Sequence, residues 1–369
     1  MIVNEKEIIM IEPDNWHVHP REGWLMPLVI ETLIRYGWRS RIVAMGNTKD
    51  LIKTGPEAKA YQNKILEIAQ QIPGGDHFEP IVAIVVNKHS TVDIIREAVD
   101  MGFVTFKLYP KNMTTNSEHG IETSEYMDIC RMFEKAKVMT RRLHHGESPN
   151  LNVKGIRKEK AYHDIFRLFT ANLDGEDVFE HITDADTVEF VKSFPVGRVG
   201  ATITVHHMLL TQDHILGYHP ASKFLMQPHW HNKPTPKFEE DRRALINAAT
   251  SGDPHFFCGN DDAFHPVSAK ECEDVCAGCA NTLAALPLLL DIFITAGKTE
   301  NTEKFCCHNG ADFYGYKRNT RTIKILFERS KIASMLYNPA YPFPVDDSSM
   351  QVKPFMAGQE VPFTVEYNT

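Results

Sequence analysis

No run of apolar residues in this 369-residue chain approaches the ~18–20 needed to span a bilayer, so no transmembrane helix is expected. Basic charge is also in short supply. Forty Lys and Arg stand against 48 Asp and Glu, a net charge of −8 with no dense basic block, so no nucleic-acid surface is expected. The opening Met1-Ile2-Val3-Asn4-Glu5-Lys6-Glu7 lacks a basic stretch leading into an apolar core, so no signal peptide is expected. The seven cysteines are an odd number, which suggests reduced thiols and a cytoplasmic protein. Internal repeats and low-complexity tracts are missing as well. So is a Gly-rich phosphate loop after the first apolar run, which argues against an open dinucleotide-binding sheet.

What the chain does have is a regular alternation of short apolar runs and segments of helical spacing. The runs Asn15–His19, Arg41–Asn47, Pro80–Val86, Val104–Tyr109, Met139–His145, Asp177–Ile182, Ala201–His206 and His255–Asp261 read as strands. Helices are expected over Trp24–Tyr36, Pro56–Gln71, Thr91–Met101, Ser124–Lys137, Ala161–Leu173, Ala185–Lys192, Glu239–Thr250 and Asn281–Ala296. Pro287 should kink the last of these or delay its start. Eight strand–helix units in strict alternation favour an α/β fold of the closed (β/α)8 type. A single domain is expected over residues 1–369. Residues from about 299 onward would add more helix, then a wrapping tail rich in Pro and aromatics (Tyr337–Pro344, Pro354–Phe363).

In such barrels the chemistry collects at the C-terminal ends of the strands. There the chain carries His17 and His19, Asn47, Lys107, His144-His145-Gly146-Glu147, Glu180-His181 and Asn260-Asp261-Asp262. His17 and His19, two apart in an extended segment, face the same side and can share a metal. Each histidine alone is more often structural. As a set at separate strand ends, imidazoles with a carboxylate suit zinc and related metals. Lys107, an amine among apolar neighbours, would have its pKa lowered, and a neutral amine can add carbon dioxide to form a carbamate. An ion pair, with Asp261 for example, is the plainer role for Lys107.

The series His17-x-His19-x-Arg21, Lys107-Leu108-Tyr109-Pro110, Thr114-Thr115-Asn116, His145-Gly146-Glu147, Glu180-His181-Ile182-Thr183 and Asp261-x-Ala263-x-His265 resembles the dihydroorotases. The likeness is to the monofunctional, class II type within the amidohydrolase superfamily. It runs from about residue 12 to about residue 280, and Pro354-Phe355-x-Ala357-Gly358 also fits. The resemblance implies a reversible, zinc-dependent interconversion of dihydroorotate and N-carbamoyl-L-aspartate in pyrimidine (UMP) biosynthesis. It implies two zinc ions per chain, with His17, His19 and Asp261 on one, His145 and His181 on the other, and N6-carboxylated Lys107 bridging them. Asp261 would also be the catalytic acid–base. Arg21, Asn47 and His265 would hold the substrate carboxylate, Ala277 would supply a backbone contact to the substrate, and Thr114 and Thr115 would tip a closing loop. A homodimer acting on a small molecule is implied too.

The departures from the family pattern carry their own expectations. Gly46 replaces a usual Pro, which would leave Asn47 less rigidly placed. Asn260 and Asp262 flank Asp261 where Thr and Ser are usual. Arg141 and Arg142 sit in the fifth strand, with Arg141 on the inward face, an awkward place for an unpartnered cation. No substrate contact is carried over onto the divergent segment 229–234. A neutral cyclic-amide hydrolase, such as a dihydropyrimidinase or hydantoinase, would have little use for Arg21. A weakly active homologue with a binding role would be expected to lose metal ligands first. Cys272, Cys276 and Cys279 form only one C-x2-C, too little for a structural zinc site.

Overall fold

The computed structural model describes residues 1–4, 6–216, 227–340 and 346–366. Eight of its parallel strands follow one another around one sheet in chain order: Asn15–His19, Arg41–Met45, Glu79–Val85, Thr105–Leu108, Arg141–His145, Glu176–Glu180, Val199–Ile203 and Phe256–Cys258. All eight expected strands are present, most of them shorter at one or both ends than the apolar runs. A ninth piece, Asp262–Ala263, pairs in parallel with Val18 and His19 of the first strand. The eighth strand therefore breaks at Gly259–Asp261 and resumes against the first, which closes the (β/α)8 barrel.

Helices Leu25–Arg35, Gly55–Ala69, Val92–Asp100, Tyr126–Ala136, His163–Asn172, Ala185–Lys192, Glu239–Thr250 and Thr282–Thr295 cover the strands. Their starts follow from local chemistry. Thr54 and Glu57 form a reciprocal capping box with Pro56 in the first turn. Thr91 and Asp184 accept from the backbone N–H three residues on. The helix expected at Asn281–Ala296 runs as Thr282–Thr295, straight through Pro287. It is apolar on most faces because it packs between the barrel and the C-terminal segments, where Leu283 and Ala284 meet Phe355 and Val361.

The run read as Ala201–His206 ends as a strand at Ile203. Thr204 caps a short helix over Val205–Leu209 and turns His206 away, toward Asn281 Nδ2 at 2.9 Å. A small antiparallel sheet also joins the two ends of the chain, in the order Ile2–Val3, Glu7–Ile11, Thr322–Leu326, Thr364–Glu366. The wrapping segment Tyr337–Pro344 is described only as far as residue 340; Tyr341–Pro344 lie outside the described residues.

At the N-terminal end of the barrel the awkward arginines find partners, which corrects the expectation. Arg142 grips Asp177 with two 2.8 Å hydrogen bonds and also reaches Thr140 Oγ1 and Asp174 O. Arg141 lies over the Tyr314 ring, donates to the Tyr314 carbonyl and stands 3.6 Å from Glu176. Both cations sit where their strand begins, at the opposite end from its histidines.

Candidate metal centre

Strand alternation alone would put His17 and His19 on one side; the geometry is tighter than that. Their Nε2 atoms lie 3.4 Å apart, and Asp261 Oδ1 lies 3.3 Å from the first and 3.2 Å from the second. Around a tetrahedral ion with bonds of about 2.0–2.1 Å, ligand atoms stand about 3.3–3.4 Å apart. Three lone-pair atoms thus form the triangle that one cation would occupy. Asp261 reaches it from the break in the eighth strand, with a left-handed backbone (φ 50°). Across the barrel mouth, His145 Nδ1 and His181 Nε2 are 3.2 Å apart, and the His17 and His181 rings are 5.0 Å apart. His181 also takes a left-handed conformation (φ 41°), and its N–H donates to Thr202 Oγ1 at 2.7 Å.

His17, His145 and His181 are buried and His19 is half-buried, and desolvation holds each below the ordinary histidine pKa, His19 down to about 4. Neutral imidazoles are the form that ligates metal. Lys107 is only 2% exposed, and burial pulls its amine down to about 7. Its Nζ meets Glu180 rather than Asp261, which corrects the partner named from the sequence.

Two carboxylates quoted above only as parts of motifs prove to be part of the centre. Glu147 Oε2 lies 2.8 Å from His145 Nε2, the nitrogen facing away from His181. Glu180 Oε1 lies 2.9 Å from His17 Nδ1, the nitrogen facing away from Asp261. A carboxylate behind a ligating histidine fixes its tautomer and raises its basicity. Their signal in the sequence was position, since each stands next to or two residues from a candidate ligand.

The second cluster lies beside the first. Arg21, itself left-handed at φ 66°, donates from Nε to the Phe264 carbonyl at 3.0 Å. A terminal nitrogen of the same guanidinium lies 2.7 Å from His265 Nε2, and Ala277 O is 3.0 Å from that imidazole nitrogen. A guanidinium only donates and a carbonyl only accepts, so His265 Nε2 bonds one of the two at a time, as a bare nitrogen toward Arg21 or as an N–H toward Ala277 O. Arg21, Asn47, Thr114, Thr115, Asp261 and Ala277 line one cleft with His19, Lys233, Ala263 and Gly278. Thr115 ties its loop down, with its hydroxyl donating to Ala277 O and accepting from Ala277 N. The candidate metal and substrate residues named from the sequence therefore meet at one barrel end, while Arg141 and Arg142 stand at the other. Lys233, from the divergent segment, meets them there too.

The remaining departures are built in. Gly46 donates to Ala83 O at 3.1 Å and accepts from Ile52 N at 3.0 Å, while a Cβ would meet Ala83 O at 2.4 Å. Only glycine fits, and the backbone leading into buried Asn47 is pinned, not loosened. Asp262 accepts from Asn15 Nδ2 (3.0 Å) and Thr282 Oγ1 (2.7 Å), and burial pushes its carboxyl up to about 7. Asn260 receives Asn281 Nδ2 on its carbonyl and gives its N–H to Asn15 Oδ1. The cysteines are all free, and none belongs to a metal-type cluster among the described residues.

No family model matches the chain. Curated relatives do. A dihydroorotase from Alkalilimnicola ehrlichii is 35% identical over 368 residues, covering 98% of this chain and 99% of its own. Among solved structures, a Saccharomyces cerevisiae dihydroorotase in complex with 5-fluoroorotic acid superposes with a TM-score of 0.83 at 26% identity, covering 98% of both chains. An Arthrobacter aurescens L-hydantoinase (dihydropyrimidinase) shares the fold at TM-score 0.75 but only 15% identity, over 97% of this chain and 82% of its own. Near-full-length identity to the first two, against likeness in fold alone to the third, agrees with the paired histidine and arginine clusters: the chain belongs to the dihydroorotase family.

Proposed function

We propose that this chain adds water across the ring amide of (S)-dihydroorotate to give N-carbamoyl-L-aspartate, and closes the ring in reverse, as a step of pyrimidine biosynthesis. One observation carries the choice of substrate. Arg21 is a buried guanidinium in the candidate cleft, and it has no carboxylate ion-pair partner among the described residues. A buried cation is costly without an anion, so the anion is supplied by the ligand. Dihydroorotate carries a carboxylate on its ring; the substrates of hydantoinases and dihydropyrimidinases do not.

The donor set fits metal. His17, His19 and Asp261 would hold one zinc ion, and His145 and His181 a second. Lys107, pulled toward its neutral amine, would bond through Nζ to carbon dioxide with loss of a proton, giving a carbamate that would add oxygen ligands to the centre. Bound there, divalent cations supply Lewis-acid polarisation of the amide carbonyl and a water of lowered pKa. Asp261, whose Oδ1 faces both His17 and His19, is suited to take the proton of the attacking water and deliver it to the leaving ring nitrogen. Glu147, hydrogen-bonded to His145, holds that ring in orientation, and the Glu180 carboxylate stands 2.9 Å from His17 Nδ1. Arg21, with Asn47, His265 and Ala277 beside it, grips the substrate carboxylate, and Thr114 and Thr115 cover it. The expected homodimer, single-domain organisation and cytoplasmic location belong to this reading, but no group named here depends on them.

The test is kcat/KM for dihydroorotate and for dihydrouracil on one preparation, with metal content measured alongside. A strong preference for dihydroorotate with two equivalents of zinc is expected. Preference for the neutral ring would overturn the substrate.

A further inference from the structure

Lys233 stands apart from the other cations around the cleft. Lys107 meets Glu180, Lys237 meets Glu159, and Lys270 donates to the carbonyls of His231, Cys276 and Gly278. Lys233 has neither a hydrogen bond nor an ion pair among the described residues, yet it lines the cleft beside Arg21, Asn47 and Asp261. The carboxylate that feels its charge, Glu147, is already taken by His145.

Its backbone is nonetheless clamped on both sides. His207 Nε2 lies 2.9 Å from Asn232 Oδ1 and 2.8 Å from Pro234 O. Asn232 Nδ2 donates to Trp230 O, and His231 O accepts from Gly278 N and Lys270 Nζ. The chain thus fixes the backbone that carries an unengaged, half-buried lysine at the cleft.

On the reading above, the ring of dihydroorotate presents three polar edges. The carboxylate faces the Arg21 cluster and the scissile carbonyl faces the metal ligands. The remaining edge is the urea-type carbonyl oxygen between the two ring nitrogens. We propose that Lys233 is a catalytic residue that donates a hydrogen bond to this urea oxygen. As water adds and the ring C–N bond breaks, the bonding electron pair moves onto the leaving nitrogen and, by conjugation, onto that oxygen. The ammonium stays protonated and stabilises the charge there, until the nitrogen receives the proton lost by the water. Donors aimed at charge that develops only in the transition state raise kcat.

The experiment compares the parent, Lys233→Met and Lys233→Arg, with metal content confirmed equal, on dihydroorotate and on its 2-thio analogue. In the analogue, sulfur replaces the urea oxygen and accepts hydrogen bonds weakly. Lys233→Met should lower kcat on dihydroorotate by roughly 10²-fold, Lys233→Arg should recover part of the loss, and the methionine variant should lose little on the thio analogue. Full activity in Lys233→Met, a loss confined to KM, or an equal loss on both substrates would overturn the role of Lys233 while leaving the substrate assignment standing. A parent inactive on dihydroorotate would overturn the assignment, and this inference with it.

Discussion

Arg21→Met separates substrate binding from metal binding more sharply than any other single change. The guanidinium is buried, and burial draws its pKa down to about 10, which leaves it charged at neutral pH. Its fixed contacts are the Phe264 carbonyl and the His265 imidazole, neither of them an anion. Methionine keeps much of the volume and removes the charge, so a bound carboxylate would face Ala277 O and a neutral imidazole. Leaving one partner of a buried, hydrogen-bonded charge pair alone costs about 3–5 kcal/mol. At ~1.4 kcal/mol per tenfold, that is roughly two to three and a half decades of kcat/KM for dihydroorotate. Lysine should rescue poorly, since it lacks the planar fork. The triangle of His17, His19 and Asp261 does not include Arg21, so both metal equivalents should remain. Steady-state kinetics and metal analysis on the same sample decide the matter. Near-parental dihydroorotate activity in Arg21→Met would refute the reasoning, and loss of metal would show that Arg21 supports the centre instead.

Other consequences are open to measurement. Lys107→Ala should lose metal and activity together, with partial return of both on adding a short-chain carboxylic acid; two retained zinc equivalents and near-parental rates would rule out the bridge. Asp177→Asn strands Arg142, Arg198 and His144, which all converge on that carboxylate; a destabilisation of about 3–5 kcal/mol is expected, roughly 4–6 °C in Tm by calorimetry. Burial pushes the Asp177 carboxyl up, but Arg142 and the hydrogen bonds hold it well below the usual range. Its stabilisation is therefore present above the unfolded value near ~4 and lost as pH falls through the folded one. The gap between parent and Asp177→Asn should narrow in acid, and a pH-independent gap would contradict this. All seven cysteines should titrate as thiols in the unfolded protein, and Cys276→Ser should keep the parent's metal content; a further zinc lost in that variant would revive a cysteine site.

The barrel was legible because its signals are local. Apolar runs of strand length and the helical spacing between them fixed the order of elements. The small sheet was passed over although its pattern is present. Ile8 and Met10 alternate with half-exposed neighbours in Glu7–Ile11, as Ile323 and Ile325 do in Thr322–Leu326. Neither strand is followed by a helix, so a search for strand–helix units does not register them, and their pairing spans the whole chain. Partners of buried charge were the least legible. Arg141 looks stranded until Tyr314, far along the sequence, folds beneath the barrel to stack on Trp16 and receive the guanidinium on its ring. Lys233 was hidden for the opposite reason. Its segment departs from the family pattern, and only the clamp by His207 brings it to the cleft.

The break in the eighth strand ties closure of the barrel to the candidate centre. An uninterrupted strand would carry residue 261 with its side chain fixed by alternation and would leave the first strand's edge to a straight neighbour. Instead Gly259 lets the chain pass within 3.1 Å of His17 Cβ and 2.7 Å of Thr202 Cγ2, distances measured from where its own Cβ would stand. The left-handed turn at Asp261 then aims its carboxylate at His17 and His19, and Asp262 restores pairing with Val18. A non-glycine residue in that conformation costs free energy, and it persists where the surroundings over-determine it. Here the surroundings are specific: Asn15 bonds both Asp262 and the Asn260 N–H, Thr282 holds the other Asp262 oxygen, and Asn281 holds the Asn260 carbonyl. Asn15 lies two residues before His17 on the same strand. The interactions that close the barrel are thus the ones that set the distance between Asp261 and its histidines, so the unusual Asn260 and Asp262 act as supports of the triangle, not as defects in it.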